Sequence, residues 1–247
     1  MNSAGHSPQN GSESLKNRPD HSHAIKNPLG ENLDRDHKPT KVNQAIHHGS
    51  HGTIYRSIGK RTMDLLVAST LLILLLPLLL LSAFAVKLTS SGPFFFKQQR
   101  LGQRGIPFTI YKFRTMLDKP RIADREIHSG DTELTPVGGL LRRSKIDELP
   151  QLLNVVLGDM SLVGPRPGLA EQLDSYTETA HKRLLSRPGL TGLAQVNGNI
   201  HISWQQRWEY DARYVECLNL GLDLRIILKT IAVIIFGEQH FTRKPDV

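Results

Sequence analysis

Apolar and polar positions divide the chain into stretches of sharply different character. Over residues 1–52 large apolar residues are few, and Ser, Asn, Gly, His and charged residues dominate. Such a segment cannot bury enough surface to offset the entropy of ordering it, so a disordered N-terminal tail is predicted. Leu65–Val86 reverses the pattern: LLVASTLLILLLPLLLLSAFAV carries no charge. As a straight helix it would reach ~33 Å, enough to cross the hydrocarbon core of a bilayer. Pro77 stands mid-run, where it removes a backbone hydrogen bond and clashes with the carbonyl of Ile73. The arms on either side, Leu65–Leu76 and Leu78–Val86, would each reach roughly 14–18 Å, about one leaflet. Both flanks are basic: Arg56, Lys60 and Arg61 precede the run, Lys87, Lys97, Arg100 and Arg104 follow it, and no acid occurs between Asp64 and Asp118. Positive flanks stay on the cytoplasmic side. A helix that bends at Pro77 and returns satisfies both observations, so residues 53–87 are predicted to form a re-entrant membrane helix. Asp64, one turn after Lys60 and Arg61, is expected to pair with them.

Phe94–Met116 alternates aromatic, apolar and basic residues around Gly102 and Gly105, which predicts a short β-hairpin. In its second strand Ile110, Lys112 and Arg114 share one face, and Lys112 and Arg114 are candidates to meet a phosphate or a lipid headgroup. Residues 118–135 are polar and read as a loop. Helical spacing recurs over Leu169–Leu185, Ile202–Cys217 and Leu220–Phe236. The last of these is apolar but interrupted by Asp223, Arg225 and Lys229, so it is predicted to lie on the membrane or on the domain rather than span. Trp204, Trp208 and Tyr214 suit either a membrane interface or a core. Between these helices, SRPGLTGLAQVNGN (186–199) has the glycines of a loop whose backbone approaches a ligand closely, and Gln195 and Asn197 are candidates to read a base or sugar. It lacks the lysine and hydroxyl residue of a P-loop. The fold class is α/β and mainly helical: a monotopic, membrane-associated domain with one Pro-broken helix, a small hairpin and interfacial amphipathic helices.

Charge narrows the partners. The 247 residues carry a formal net charge of +8, which calls for anionic partners. The basic residues cluster beside the apolar run, and no nucleic-acid recognition module is visible, so nucleic acid is not an expected partner. One cysteine, Cys217, excludes an internal disulfide and fits a reducing compartment. The tail histidines His6, His21, His23, His37, His47, His48 and His51 are a weak signal for metal binding, being irregularly spaced and without cysteines. The apolar run starts too late for a secretory signal.

The chemistry concentrates in Arg142–Pro167, RRSKIDELPQLLNVVLGDMSLVGPRP. Leu149, Leu152, Leu153, Val156 and Leu157 recur at helical spacing, Pro150 is tolerated only in a first turn, and Gly158 is a stop. The helix therefore starts at or just before Asp147, which sets Asp147 and Glu148 at the positive end of its dipole, where carboxylates stay ionised. An acid pair there suits an anionic nucleophile or a ligand for Mg²⁺, which takes one or two carboxylates plus substrate phosphates. Arg142, Arg143 and Arg166 are placed to grip phosphate oxygens.

Four strings together carry a resemblance: KRTMDLL before the Pro-broken run, IYKFRTM, DELPQLLNVVLGDMSLVGPRP, and RPGLTGLAQVNG followed by W-x6-D-x2-YV and LDLRI-x2-KT. From about Arg56 to Phe236 the chain resembles the bacterial sugar transferases, the monotopic polyprenyl-phosphate hexose-1-phosphate transferases. The resemblance implies transfer of a sugar 1-phosphate from a UDP-sugar to undecaprenyl phosphate, with UMP leaving, as the initiating step of exopolysaccharide, capsule, O-antigen or glycoconjugate synthesis. It implies Asp147 as the nucleophile that forms a covalent phosphosugar, Glu148 as its dyad partner, and Mg²⁺ at Asp147. Asp211, in the W-x6-D string, joins Lys112, Arg114, Arg142, Arg143, Arg166 and Gln195 as an expected substrate or phosphate contact. Residues 88–240 become the catalytic domain on the cytoplasmic face of the inner membrane and residues 241–247 a short tail; a homo-oligomer is compatible with this reading. The chain departs from the family's usual pattern at Leu76-Pro77, where Ser-Pro is usual, at Asn199, where Arg usually follows VNG, and at Pro136 and Gly139, which replace two arginines. These departures keep open the alternative of a catalytically weak or silent membrane partner.

Overall fold

In the computed structural model residues 54–117 and 134–242 are described; the predicted tail of residues 1–52, most of the loop 118–135, and residues 243–247 lie outside them. The uncharged run lies in α1 (Lys60–Thr89), entered through a π-helical turn, Tyr55–Gly59. The arms expected on either side of Pro77 belong to one continuous helical element. Among the described residues this is the one helix long and apolar enough to cross a membrane. Its stripe of Asp64, Ala68, Ser82 and Val86 is buried, while Leu66, Ile73, Leu74, Leu80, Leu81, Phe84 and Leu88 are exposed.

The hairpin forms as β1 (Phe95–Leu101) and β2 (Pro107–Phe113), antiparallel, with Phe95 opposite Phe113 and Leu101 opposite Pro107. Its turn uses positive φ at Arg104 and Gly105. Both faces of β2 are covered: Phe108 and Ile110 enter the main core, and Phe113 packs with Val86 of α1 and Leu141. Leu141 belongs to α2 (Pro136–Arg143), whose N-cap Thr135 accepts from the Gly138 N–H at 2.9 Å. Pro136 holds the first helical position, where its missing N–H costs nothing. A Cβ on Gly138 would lie 2.0 Å from the Thr115 carbonyl oxygen, so only glycine lets α2 approach that strand end.

The acid-pair segment follows as a 3₁₀ turn, Ile146–Gln151, running into α3 (Leu152–Leu157). Gly158 stops it in the left-handed region at φ 99°, as its position predicts. A second, parallel pair that the apolar pattern does not reveal joins β3 (Ser161–Val163) to β4 (Gly189–Thr191). The helix expected over Leu169–Leu185 is instead three short pieces: a 3₁₀ turn Ala170–Ser175, α4 (Glu178–His181) and a 3₁₀ turn Lys182–Leu185. The two C-terminal helices fall where spacing puts them, α5 (Trp204–Cys217) behind a Ser203–Gln206 capping box and α6 (Leu220–Phe236).

Three details of the base of α1 correct the sequence reading. Asp64 is fully buried and its Oδ1 accepts from the Leu162 N–H of β3 at 3.0 Å, rather than pairing with Arg61. Lys60 pairs with Asp223 of α6 at 2.7 Å, and Asp223 also accepts from Tyr55 and from Tyr214. Arg61 donates to the last-turn carbonyls of α3, Val155 at 2.5 Å and Val156 at 2.9 Å. Buried polar groups need partners, and tertiary packing supplies better ones than the neighbouring turn. Tyr214, with no exposed surface, is therefore a core residue, while Trp204 is nearly half exposed.

Candidate active site

Lys145 adopts a left-handed conformation at φ 58°, which ends α2 and turns the chain into the 3₁₀ segment. This turn buries Asp147 and carries Glu148 toward β2 and the Gly164-Pro165-Arg166-Pro167 turn. Pro150 falls within this irregular first part, where no regular helical N–H is needed.

The two carboxylates have opposite environments. Glu148 Oε1 accepts from Lys112 Nζ at 2.7 Å and from Arg166 Nη2 at 2.7 Å, while Oε2 accepts from Arg166 Nη1 at 3.3 Å. Burial alone would raise this carboxyl, but Arg166 first and then Lys112 outweigh it and hold it well below the usual carboxylate range. Asp147 is 6 % exposed and its Oδ1 is buried without a partner. Burial, then the neighbouring Glu148 charge, push its carboxyl up to about 6, against the pull of Lys112, Arg142 and Lys145. The N-terminal position does not hold down both carboxyls: a short 3₁₀ turn offers little dipole, and desolvation dominates for Asp147, whose Oδ1 has no partner. Paired groups whose environments push their carboxyls apart in this way are candidates for an acid–base or nucleophile site.

Cations encircle the pair. Burial, against the attraction of Glu148, pulls the Lys112 ammonium below its ordinary value. Arg100, bonded to Gln98 at 2.7 Å, is brought down to about 10 by burial and then by the charge of Arg166. Arg142 is half-buried with Nη1 unbonded, and its charge reaches Asp147. Arg100 and Lys145 belong to this ring although their positions in sequence did not single them out; Arg100 sits in a basic run and Lys145 beside Arg142 and Arg143.

Four expected contacts are placed elsewhere. Arg143 is exposed and outside the ion-pair cluster. Arg114 is buried, and its Nη2 donates to the Ser90 carbonyl and hydroxyl, both at 2.8 Å, tying the end of α1 to β2. Gln195 Nε2 donates to the Leu190 carbonyl at 3.1 Å and so braces β4. Asp211 is a buried partner of Arg183 at 3.0 Å. Arg183 in turn donates to the Arg166 carbonyl at 2.5 Å and to the Tyr176 hydroxyl at 3.0 Å, so Asp211 acts on the site by bracing Arg166. Burial, opposed by Arg183, raises the Asp211 carboxyl to about 6. Asn199 sits at φ 46°, a conformation asparagine tolerates better than arginine, and Arg207 stacks on Trp204 at 4.3 Å.

Among the described residues no group of three His, Cys, Asp or Glu side chains could hold a metal unaided. The unpartnered Asp147 Oδ1 fits a single carboxylate ligand to Mg²⁺, with the remaining oxygens brought by phosphates and water.

A carboxylate pair ringed by phosphate-matching cations suits phosphoryl transfer. Residues 55–237 match the family described as bacterial sugar transferase, and the chain belongs to that family, as a phosphoglycosyl transferase. It is 45 % identical over 198 residues to the uncharacterized sugar transferase EpsL of Bacillus subtilis, covering 76 % of this chain and 98 % of that one. It is likewise 45 % identical over 194 residues to a UDP-glucose:undecaprenyl-phosphate glucose-1-phosphate transferase of Caulobacter vibrioides, covering 74 % of this chain and 72 % of that one. The exopolysaccharide production protein ExoY of Rhizobium meliloti is 40 % identical over 201 residues, 74 % of this chain and 88 % of its own.

Proposed function

We propose that the enzyme transfers a sugar 1-phosphate from a UDP-sugar to undecaprenyl phosphate and releases UMP, in two displacements through Asp147. Similarity to transferases named for UDP-glucose and undecaprenyl phosphate supports both substrate classes. The observation that carries the mechanism is the contrast within the acid pair: Glu148 is fully engaged by Lys112 and Arg166, and Asp147 keeps a free oxygen.

In the first displacement an Asp147 oxygen forms a bond to the β-phosphorus of the donor. The bond from that phosphorus to the bridging oxygen breaks, and the oxygen leaves with UMP. In the second, a phosphate oxygen of the lipid attacks the same phosphorus, a pyrophosphate forms and the Asp147 carboxylate is released. Lys112, Arg166 and Arg142 hold the phosphate oxygens and offset the charge that gathers at phosphorus. Glu148 keeps Lys112 and Arg166 in place. Mg²⁺ held through Asp147 would add charge neutralisation at the same phosphate oxygens. Because the phosphosugar is parked on the protein, two bulky substrates use one pocket in turn. Asp147→Asn should abolish UMP release from UDP-sugars in membranes supplied with undecaprenyl phosphate and Mg²⁺. An unchanged rate removes Asp147 from the mechanism.

The re-entrant path of α1, with the site on the cytoplasmic face of the bacterial inner membrane, belongs to the same proposal. Its support is that both ends of α1 rest on one body. Arg61 and Asp64 bond α3 and β3 at the first turns, and at the last Val86 packs on Phe113 and Leu141 while Ser90 accepts from Arg114. Single cysteines at Ser57 and Ser91, in a Cys217→Ser background, should label from the same side; opposite sides would establish a true crossing.

A further inference from the structure

The wedge between α5 and α6 encloses a cavity of about 500 Å³ that shares no wall residue with the acid-pair site. Arg213, Arg225 and Lys229 line it, and no acid does among the described residues. Its floor is apolar, with Leu222 and Ile226, and Asn197 adds a polar group that accepts from Lys229 at 2.6 Å. Arg213 and Arg225 are exposed and make no ion pair with another described residue. Two guanidinium groups without an ion-pair partner among the described residues, over an apolar floor, match an anionic head on a hydrocarbon body.

The position on α6 selects the source of that anion. At roughly 100° per residue, Leu220, Leu224, Leu228, Ile231 and Ile235 form one stripe of the helix, and all five are exposed. Arg225 and Lys229 fall on the strip between this stripe and the buried face that holds Asp223, Ile226 and Val233. An apolar face bordered by cations is how a helix lies in a membrane interface, and here the border opens into a cavity.

We propose that this cavity is a binding site for the headgroup of an anionic phospholipid of the glycerophosphate class, seated between Arg213 and Arg225 with Lys229 beneath. The proposal rests on the chain's residence at a membrane and is independent of the chemistry at Asp147. The test uses the full chain in non-ionic detergent, titrated with dioleoylphosphatidylglycerol or dioleoylphosphatidylcholine, with bound lipid counted by native mass spectrometry. The glycerol lipid should be retained at lower concentration than the choline lipid. Arg213→Gln with Arg225→Gln should weaken its retention roughly 30-fold, about 5-fold per arginine, and leave the choline lipid unchanged. Arg104→Gln, on the hairpin turn, should change neither. Equal retention of the two lipids, an effect of Arg104→Gln as large as that of the double variant, or displacement of the lipid by UMP or inorganic phosphate would overturn the proposal.

Discussion

Asp147→Asn should remove activity and make the protein more stable. Burial and the adjacent Glu148 raise the Asp147 carboxyl from its ordinary 3.8 to about 6. The folded chain thus binds this proton more tightly than the unfolded chain, and folding loses stability as pH rises from 3.8 toward about 6. Above that window the full penalty is present, about 3 kcal/mol at 1.36 kcal/mol per pH unit. Asparagine fills the same volume and does not titrate, so the variant escapes the penalty. Its advantage should be about 3 kcal/mol at pH 7.5, about 1.5 at pH 5 and about 0.5 at pH 4. For a chain of this size that corresponds to a melting temperature about 6–12 °C higher at pH 7.5. Thermal unfolding followed by tryptophan fluorescence in one detergent, across this pH range, reads it directly. A variant no more stable than the parent at pH 7.5, or an advantage that does not shrink on acidification, would refute the claim that Asp147 is held against its own desolvation. Stability sacrificed at a reactive group is the usual sign that the group is retained for chemistry.

Two further outcomes follow from the same geometry. Lys112→Met removes one of the cations that lower the Asp147 carboxyl, so the acid limb of kcat/KM should move upward from about 6, read from a pH–rate profile; an unmoved limb separates Lys112 from Asp147. Arg183→Met strands Asp211 as a buried charge and should cost about 3–5 kcal/mol, whereas Arg183→Met with Asp211→Leu should recover most of that stability. The double variant should still lose between ~10- and ~100-fold in kcat/KM because the Arg166 carbonyl has lost its brace, and full activity would show that Arg166 needs none.

Legibility in the sequence followed the range of the interaction. The ends of α6, the Gly158 stop and the hairpin turn at Gly102 and Gly105 are written in local residues, because helix spacing, a left-handed stop and a tight turn act within a few positions. The acid pair and its two nearest cations, Lys112 and Arg166, were legible for the same reason: each sits in a short string of its own. The two-residue side-chain period also paired Lys112 with Arg114 as joint candidates, but only Lys112 reaches Glu148; Arg114, just past the end of β2, is claimed by Ser90. Leu169–Leu185 misled in another way, since apolar residues at helical spacing were shared out among three short turns packed around Tyr176 and Arg183.

By itself, then, the sequence determined which segments are apolar, where the long apolar helices and the glycine turns fall, and which acids and cations are candidates for chemistry. Folding alone decided how the two acids differ. Asp147 and Glu148 are neighbours of nearly identical chemistry, and only the three-dimensional arrangement brings Lys112 from β2 and Arg166 from the loop after β3 onto one of them while leaving an oxygen of the other buried without a partner. The strength of a charge depends on what surrounds it, and most of what surrounds these two comes from residues distant in the chain.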